Sequence, residues 1–247
     1  MRAFFTLWRR ELGAFFLSPI AYVMAIFFLV VMGFSFWFLA RVFTLGLVGV
    51  PVMSQLFGSL FFWIPFLIVV PVLTMRLFAE EKRQGTIETL MTAPVTDTQV
   101  VLAKLAGVFT FYVVMWLPTI PYAFILHHFS SQTAPFDFGP MIGGYVGAAL
   151  MGLFYLSIGL FCSALTRNQI VSAIMSFSIM LLFFFGGFLH FLEVQPLLKQ
   201  VSGYASSALH MLEFSRGAFD TRPLVFYLSS TIFVVFCTVR IVETRRW

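Results

Sequence analysis

The sequence predicts an all-α polytopic membrane protein with six transmembrane helices. Three observations lead there. Hydrophobic residues fill 60% of the 247 positions and charged residues only 10%, against roughly 25% charged in soluble domains. Six apolar runs, each about as long as hydrocarbon is thick, are separated by charged or turn-forming stretches. Within the runs, polar residues do not alternate with apolar ones, as the strands of a membrane barrel would require. Phe alone contributes 34 residues. A globule of this length exposes too much surface to hide them all from water.

Taken in order, residues 2–17 read as an amphipathic helix. Phe4, Phe5, Trp8, Leu12, Phe15 and Phe16 fall on one arc, and Arg2, Thr6, Arg9 and Arg10 on the other. Such a helix is expected to lie in the headgroup layer, where its arginines favour anionic lipid. Span one covers Ile20–Ala40, opened by an N-cap at Ser18 and a first-turn proline at Pro19. No small-residue cleavage site follows this run, so it is expected to be retained. Span two covers Leu56–Met75, and span three covers Val100–Leu126. Thr96 and Gln99 form a capping box for span three, with Val95 and Val100 as its hydrophobic staple. Pro65, Pro71, Pro118 and Pro121 lie inside these spans and predict kinks.

Span four, Met141–Leu165, carries Gly144, Ala148 and Gly152 at four-residue intervals. That spacing gives a smooth face for close helix packing, within the chain or across a dimer seam. Span five covers Ile170–Phe191. Residues 194–222 are too polar for a full span and predict an outer-surface or re-entrant helical segment. Asp220 or Thr221, followed by Pro223, opens span six at Leu224–Val242.

Orientation follows from the basic residues. With the amino terminus inside, eleven Lys and Arg face the cytoplasm: Arg2, Arg9, Arg10, Arg76, Lys82, Arg83, Lys104, Arg167, Arg240, Arg245 and Arg246. Four face outward: Arg41, Lys199, Arg216 and Arg222. This bias predicts both termini in the cytoplasm. It also assigns the net charge of +5 to a membrane surface rather than to nucleic acid.

The loop at 76–99 is the informative one. From Arg76 to Lys104, ends included, there are four basic and four acidic residues. Immersing them in hydrocarbon would cost on the order of 20 kcal/mol, so the segment lies outside it, and it exceeds the length of a simple turn. Thr86–Thr92 can form two helical turns with Ile87, Leu90 and Met91 on one face and Glu88 on another, stopped by Pro94. An apolar edge with a charged rim suits docking into a groove on a partner, or packing on the parent protein.

Other chemistry is poorly supported. His127, His128, His190 and His210 lack ligand spacing beyond the adjacent pair, and they read as interfacial polar residues. No metal site is predicted. Cys162 and Cys237 sit in apolar runs and read as small buried hydrophobes. Arg216 and Asp220 stand four apart and are expected to pair. Asp137 and Glu193 are isolated, so no catalytic arrangement is expected. The sequence contains no G-x-x-x-x-G-K-[ST] run to cradle ATP phosphates.

The stretch "EEKRQGTIETLMTAPVTDTQVVLAK" resembles the first cytoplasmic loop of ABC-2-type transporter permeases, in Glu80, Glu81, Lys82, Arg83, Gly85, Thr86, Glu88, Leu90, Pro94 and Lys104. A second stretch, "HMLEFSRGAFDTRPLVFYLSS", is similar to the segment before the last span in gliding-motility-type and nitrous-oxide-reductase maturation permeases. It carries His210, Phe214, Arg216, Gly217 and Asp220. The resemblance implies a single transmembrane domain over 1–247, in a bacterial inner membrane, with 76–99 as a cytosolic coupling loop. It implies a second permease subunit, identical or related, and a separate cytosolic ATPase that binds ATP and Mg. The coupling helix would dock that ATPase, with Glu80, Glu81, Arg83, Gly85, Thr86, Ile87, Glu88, Leu90, Met91 and Pro94 as the docking residues. The expected role is an exporter or a mechanical coupler. The alternatives are an ion-coupled secondary transporter or channel, or a membrane scaffold of a gliding or assembly machine. The first of these would need ionisable residues in span interiors, where the sequence has none away from the ends.

Overall fold

The computed structural model describes residues 2–45, 52–86, 95–129, 138–186, 202–217 and 220–244. Among the described residues all regular structure is helical, and six helical stretches are long and apolar enough to cross a membrane. The chain is an all-α polytopic membrane protein.

Helix α1 (Arg2–Phe16) is followed after a two-residue elbow by α2 (Pro19–Thr44). Pro19 opens α2 as expected, but the Ser18 hydroxyl is taken by the Arg76 guanidinium rather than acting as a cap. Span two differs from the sequence expectation. It divides at Ser59, whose backbone is extended at φ −94° and ψ 167°. A short α3 (Val52–Gly58) precedes it and α4 (Leu60–Thr74) follows. Leu56, predicted to begin the span, therefore belongs to α3. Helix α4 runs through both Pro65 and Pro71.

After a turn, α5 (Ala79–Gln84) ends at Gly85, which takes the left-handed conformation at φ 73°. Gly is suited to this position because it has no Cβ to strain. Helix α6 (Asp97–Trp116) begins with the predicted capping box. Thr96 Oγ1 accepts from Gln99 N at 3.3 Å, and Gln99 Oε1 accepts from Thr96 N at 3.4 Å. Near Pro118 a 3-10 turn (Leu117–Thr119) separates α6 from α7 (Ile120–Phe129). Helices α8 (Phe138–Leu165), α9 (Gln169–Gly186), α10 (Ser207–Ser215) and α11 (Thr221–Glu243) follow among the described residues.

Helix α8 is the axis of the bundle and packs against α3, α4, α6, α9, α10 and α11. The small-residue face explains how. Gly144 receives the Phe57 ring of α3, and Gly152 receives the Tyr112 ring of α6. The Tyr112 hydroxyl donates to Ala148 O at 2.9 Å. Gly159 meets the Thr74 side chain of α4. The interior is strongly aromatic: Phe28, Phe57, Phe62, Tyr112 and Tyr145 surround Trp116, with centroids 4.8–6.3 Å away.

The outer helices show the opposite pattern. Val23, Ile26, Val30, Phe34 and Trp37 of α2 are exposed at spacings of three and four, as are Val225, Leu228, Ile232 and Phe236 of α11. Apolar stripes facing outward suit a hydrocarbon environment for these faces.

Candidate functional site

Charge converges at one end of the bundle, where α1, α5, the start of α6 and the end of α8 meet. Lys104, on the second turn of α6, is 1% exposed. Its Nζ lies 2.8 Å from Glu81 Oε1 of α5 and 3.3 Å from Glu11 Oε2 of α1. Arg10 completes the cluster, 2.6 Å from Glu11 Oε1 and 3.6 Å from Glu81 Oε1. Two cations thus meet two anions. The Lys104 ammonium also stands 5.2 Å from the Phe78 ring centroid, a cation–π contact that is strengthened when water is excluded. An isolated buried ammonium would be costly; two carboxylates make this one tolerable.

Local packing fixes each partner. Gly107 of α6 lets α1 approach so closely that a Cβ there would lie 2.9 Å from Glu11 Cβ. Trp8 Nε1 donates to Thr110 Oγ1 at 3.3 Å, and Phe15 stacks on Phe111 at 5.5 Å. Trp8 and Phe15 are about 10 Å apart along α1, yet they reach neighbouring residues of α6, so the two helices cross. This corrects one expectation. Part of the arc expected on lipid packs on α6 instead: Phe15 is buried and Trp8 half-buried there, because Gly107 lets the two helices approach. Phe5 and Phe16 of the same arc remain exposed.

The loop emerging from span two is equally anchored. Ser163 Oγ of α8 accepts from the backbone N of Phe78 and of Ala79, each at 3.0 Å, and donates to Met75 O at 3.0 Å. Buried Lys82 donates to Ala164 O. Arg76 lies over the Phe15 ring at 5.2 Å. Glu80, half-buried, binds Arg83 at 2.9 Å, together with Gln84. Gly85 and Thr86 are exposed at the end of this stalk. Ile87, Glu88, Leu90, Met91 and Pro94, on which the docking helix was expected, lie outside the described residues.

At the opposite end, α10 forms a lid on α8 and α3. The Phe214 ring lies against Gly147, and its carbonyl against Gly143. Gly217 closes the helix at φ 75°. A buried polar chain links α10 to spans four and six. His210 Nδ1 is 3.1 Å from the Tyr227 hydroxyl, and Ser207 Oγ bonds the Tyr155 hydroxyl. The helical part of the predicted external segment is therefore present at 202–205 and 207–215, while 194–201 lie outside the described residues. The expected Arg216–Asp220 pair is replaced. Asp220 caps α11 by accepting Arg222 N at 3.0 Å, and it pairs with Arg222 Nε at 3.8 Å. Capping draws the carboxylate toward the new helix rather than back to Arg216.

The family model for "ABC-2 family transporter protein" matches residues 49–239, most of the chain. The chain belongs to the ABC-2 transporter family. Comparison with curated proteins finds no match. The chain is thus a permease, the transmembrane component of its transporter and not itself the ATPase. The match to the ABC-2 permease model begins after both α1 and α2, so Lys104 and Glu81 fall within it and Glu11 outside.

Sequence reading of the permease singled out Glu81 and Lys104 but missed Glu11 and Arg10 as their partners. A signal existed. Glu11 is the sole acidic residue before Glu80, and Lys104 is the sole charge between Asp97 and Asp137. A lone acidic residue and a lone cation, each otherwise set in a mostly apolar helix, favour each other.

His210 of the permease makes a testable case. Burial pulls its imidazole down to about 4 from the usual 6.5, while Asp220 opposes the shift. The unfolded chain therefore binds a proton that the folded chain refuses between those values. Stability is full above about pH 6.5 and is lost as pH falls toward about 4, by up to about 3 kcal/mol. Thermal unfolding across this window is expected to show the loss, and His210→Gln is expected to flatten it.

Proposed function

We propose that this permease is the membrane half of an ATP-driven exporter of the gliding-motility type, worked by a separate cytosolic ATPase that holds the ATP and Mg. Both termini and the Lys104 end face the cytoplasm of a bacterial inner membrane, in keeping with eleven of the fifteen Lys and Arg lying on that side. The segment Gly85–Pro94 docks the ATPase. Two permease subunits, identical or related, pair around the pathway.

The observation that carries this reading is Lys104, sealed between Glu81 and Glu11. A loop that merely joined two spans would not need its root clamped to three other helices. Here the root of the loop is tied to α6 by Glu81, to α8 by Lys82 and the Ser163 hydroxyl, and to α1 through Arg10. A push on the loop is delivered to packed helices rather than absorbed by a slack connection. Closure of an ATPase dimer would move two such stalks and rock the permease halves.

Ile87→Asp and Leu90→Asp test the docking role. Each is expected to leave the permease folded in detergent and to abolish its co-purification with the cognate ATPase. Undiminished co-purification of both variants overturns the assignment. ATP-driven transport in reconstituted vesicles then separates an exporter from a mechanical coupler.

A further inference from the structure

We propose that the outward arc of α1 is a binding site for an anionic phospholipid, whose headgroup is held by Arg9 and Arg10. This goes beyond the ATPase reading and does not depend on it; it requires only that the chain spans a bilayer. The inner face of α1, with Trp8, Glu11 and Phe15, is used up on α6. The outer face is ordered by chemistry. At 100° per residue, Phe5, Phe16 and Arg9 fall within about 40° of one another, and Arg10 lies about 100° further round.

Phe5 is 54% exposed and Phe16 38%, and Leu17 at the elbow is 85% exposed. Arg9 is exposed, and the Arg10 side chain is 50% exposed. The elbow leads directly into α2, the first span, which sets Phe16 and Leu17 at the edge of the hydrocarbon. Arg9 shares the face of Phe16, two turns back along α1, and Arg10 stands on the side toward Glu81. Apolar groups for an acyl chain next to guanidinium groups for a phosphate form the complement of an anionic lipid.

The arrangement also links the lipid to the buried cluster. Arg10 is held closely by Glu11 at 2.6 Å but only loosely by Glu81 at 3.6 Å. A phosphate at this arc competes with Glu81 for the outer side of the guanidinium. Glu81 then relies on Lys104 alone. Lipid charge at the surface is in this way felt at the root of the loop.

The test uses the full chain in nanodiscs of phosphatidylcholine containing a minor share of phosphatidylglycerol, with chain-bound lipid counted by native mass spectrometry. Phosphatidylglycerol is expected to be enriched over its bulk share, and the enrichment is expected to fall with added salt. Arg9→Gln is expected to weaken that enrichment about five-fold, and Arg9→Gln with Arg10→Gln by more. Arg9 lies outside the ion cluster, so its variant is not expected to disturb folding. No enrichment in the native chain overturns the proposal, as does equal enrichment in both variants. Variants that keep the lipid but lose a soluble partner overturn it as well, by assigning the arginines to protein instead.

Discussion

Lys104→Met is expected to destabilise the protein by about 3 kcal/mol or more, since removing one partner of a buried ionic group strands the others. Methionine matches the lysine stem in volume, so the loss is electrostatic rather than a cavity. Glu11 and Glu81 would then share the remaining cation, Arg10, which is half exposed. Thermal unfolding of the detergent-purified permease reads the effect. The decisive comparison adds Glu11→Gln and Glu81→Gln to Lys104→Met. A fully neutral site is expected to recover much of the lost stability, because the stranded carboxylates are gone. If Lys104→Met unfolds with the native midpoint, the cluster has no structural weight, and its place in force transmission falls with it. If the neutral site is stable yet uncoupled from ATP hydrolysis, charge is needed for motion rather than for folding.

Gly143→Ala is expected to have the next largest effect. A Cβ there would overlap the Phe214 carbonyl oxygen and come within 3.5 Å of Gly217 Cα. Neither atom belongs to a flexible side chain, so relief requires α10 to lift from α8. The cost is expected at about 3 kcal/mol, the upper part of the range for overpacking. Gly13→Ala is the control. Nothing lies within 4 Å of its Cβ position, so that substitution is expected to be neutral or stabilising by up to about 1 kcal/mol. A single-cysteine reporter in α10, labelled with a water-soluble thiol reagent, separates a displaced lid from general unfolding. Unchanged labelling in a destabilised Gly143→Ala protein would deny α10 its fixed seat.

Much of the fold was legible because lipid imposes a simple rule on the chain: bury every backbone polar group within a helix and keep each run apolar. Span lengths, the Thr96 capping box and the Asp220 cap all follow from local chemistry. Three features did not follow, and each depends on a distant neighbour. The division at Ser59 depends on α10 packing under α3, with Leu212 and Ser215 against Gly58. The burial of α1 on α6 depends on Gly107, whose smallness has no meaning until the two helices meet. The Arg10–Glu11–Glu81–Lys104 cluster joins residues up to 94 positions apart, and pairing at that distance leaves no local periodicity. The Arg216–Asp220 expectation failed for a local reason instead. Their spacing favoured a pair, but the start of α11 had the stronger claim on the carboxylate.

Gly85 carries a last consequence. Its torsion is left-handed, yet nothing lies within 4 Å of where a Cβ would stand. The requirement there is one of handedness, not of room. A mirror-image D-alanine, placed by chemical synthesis, would favour that torsion, whereas ordinary L-alanine would strain it. The heading on which the chain leaves the stalk is thus written in the chirality of one joint.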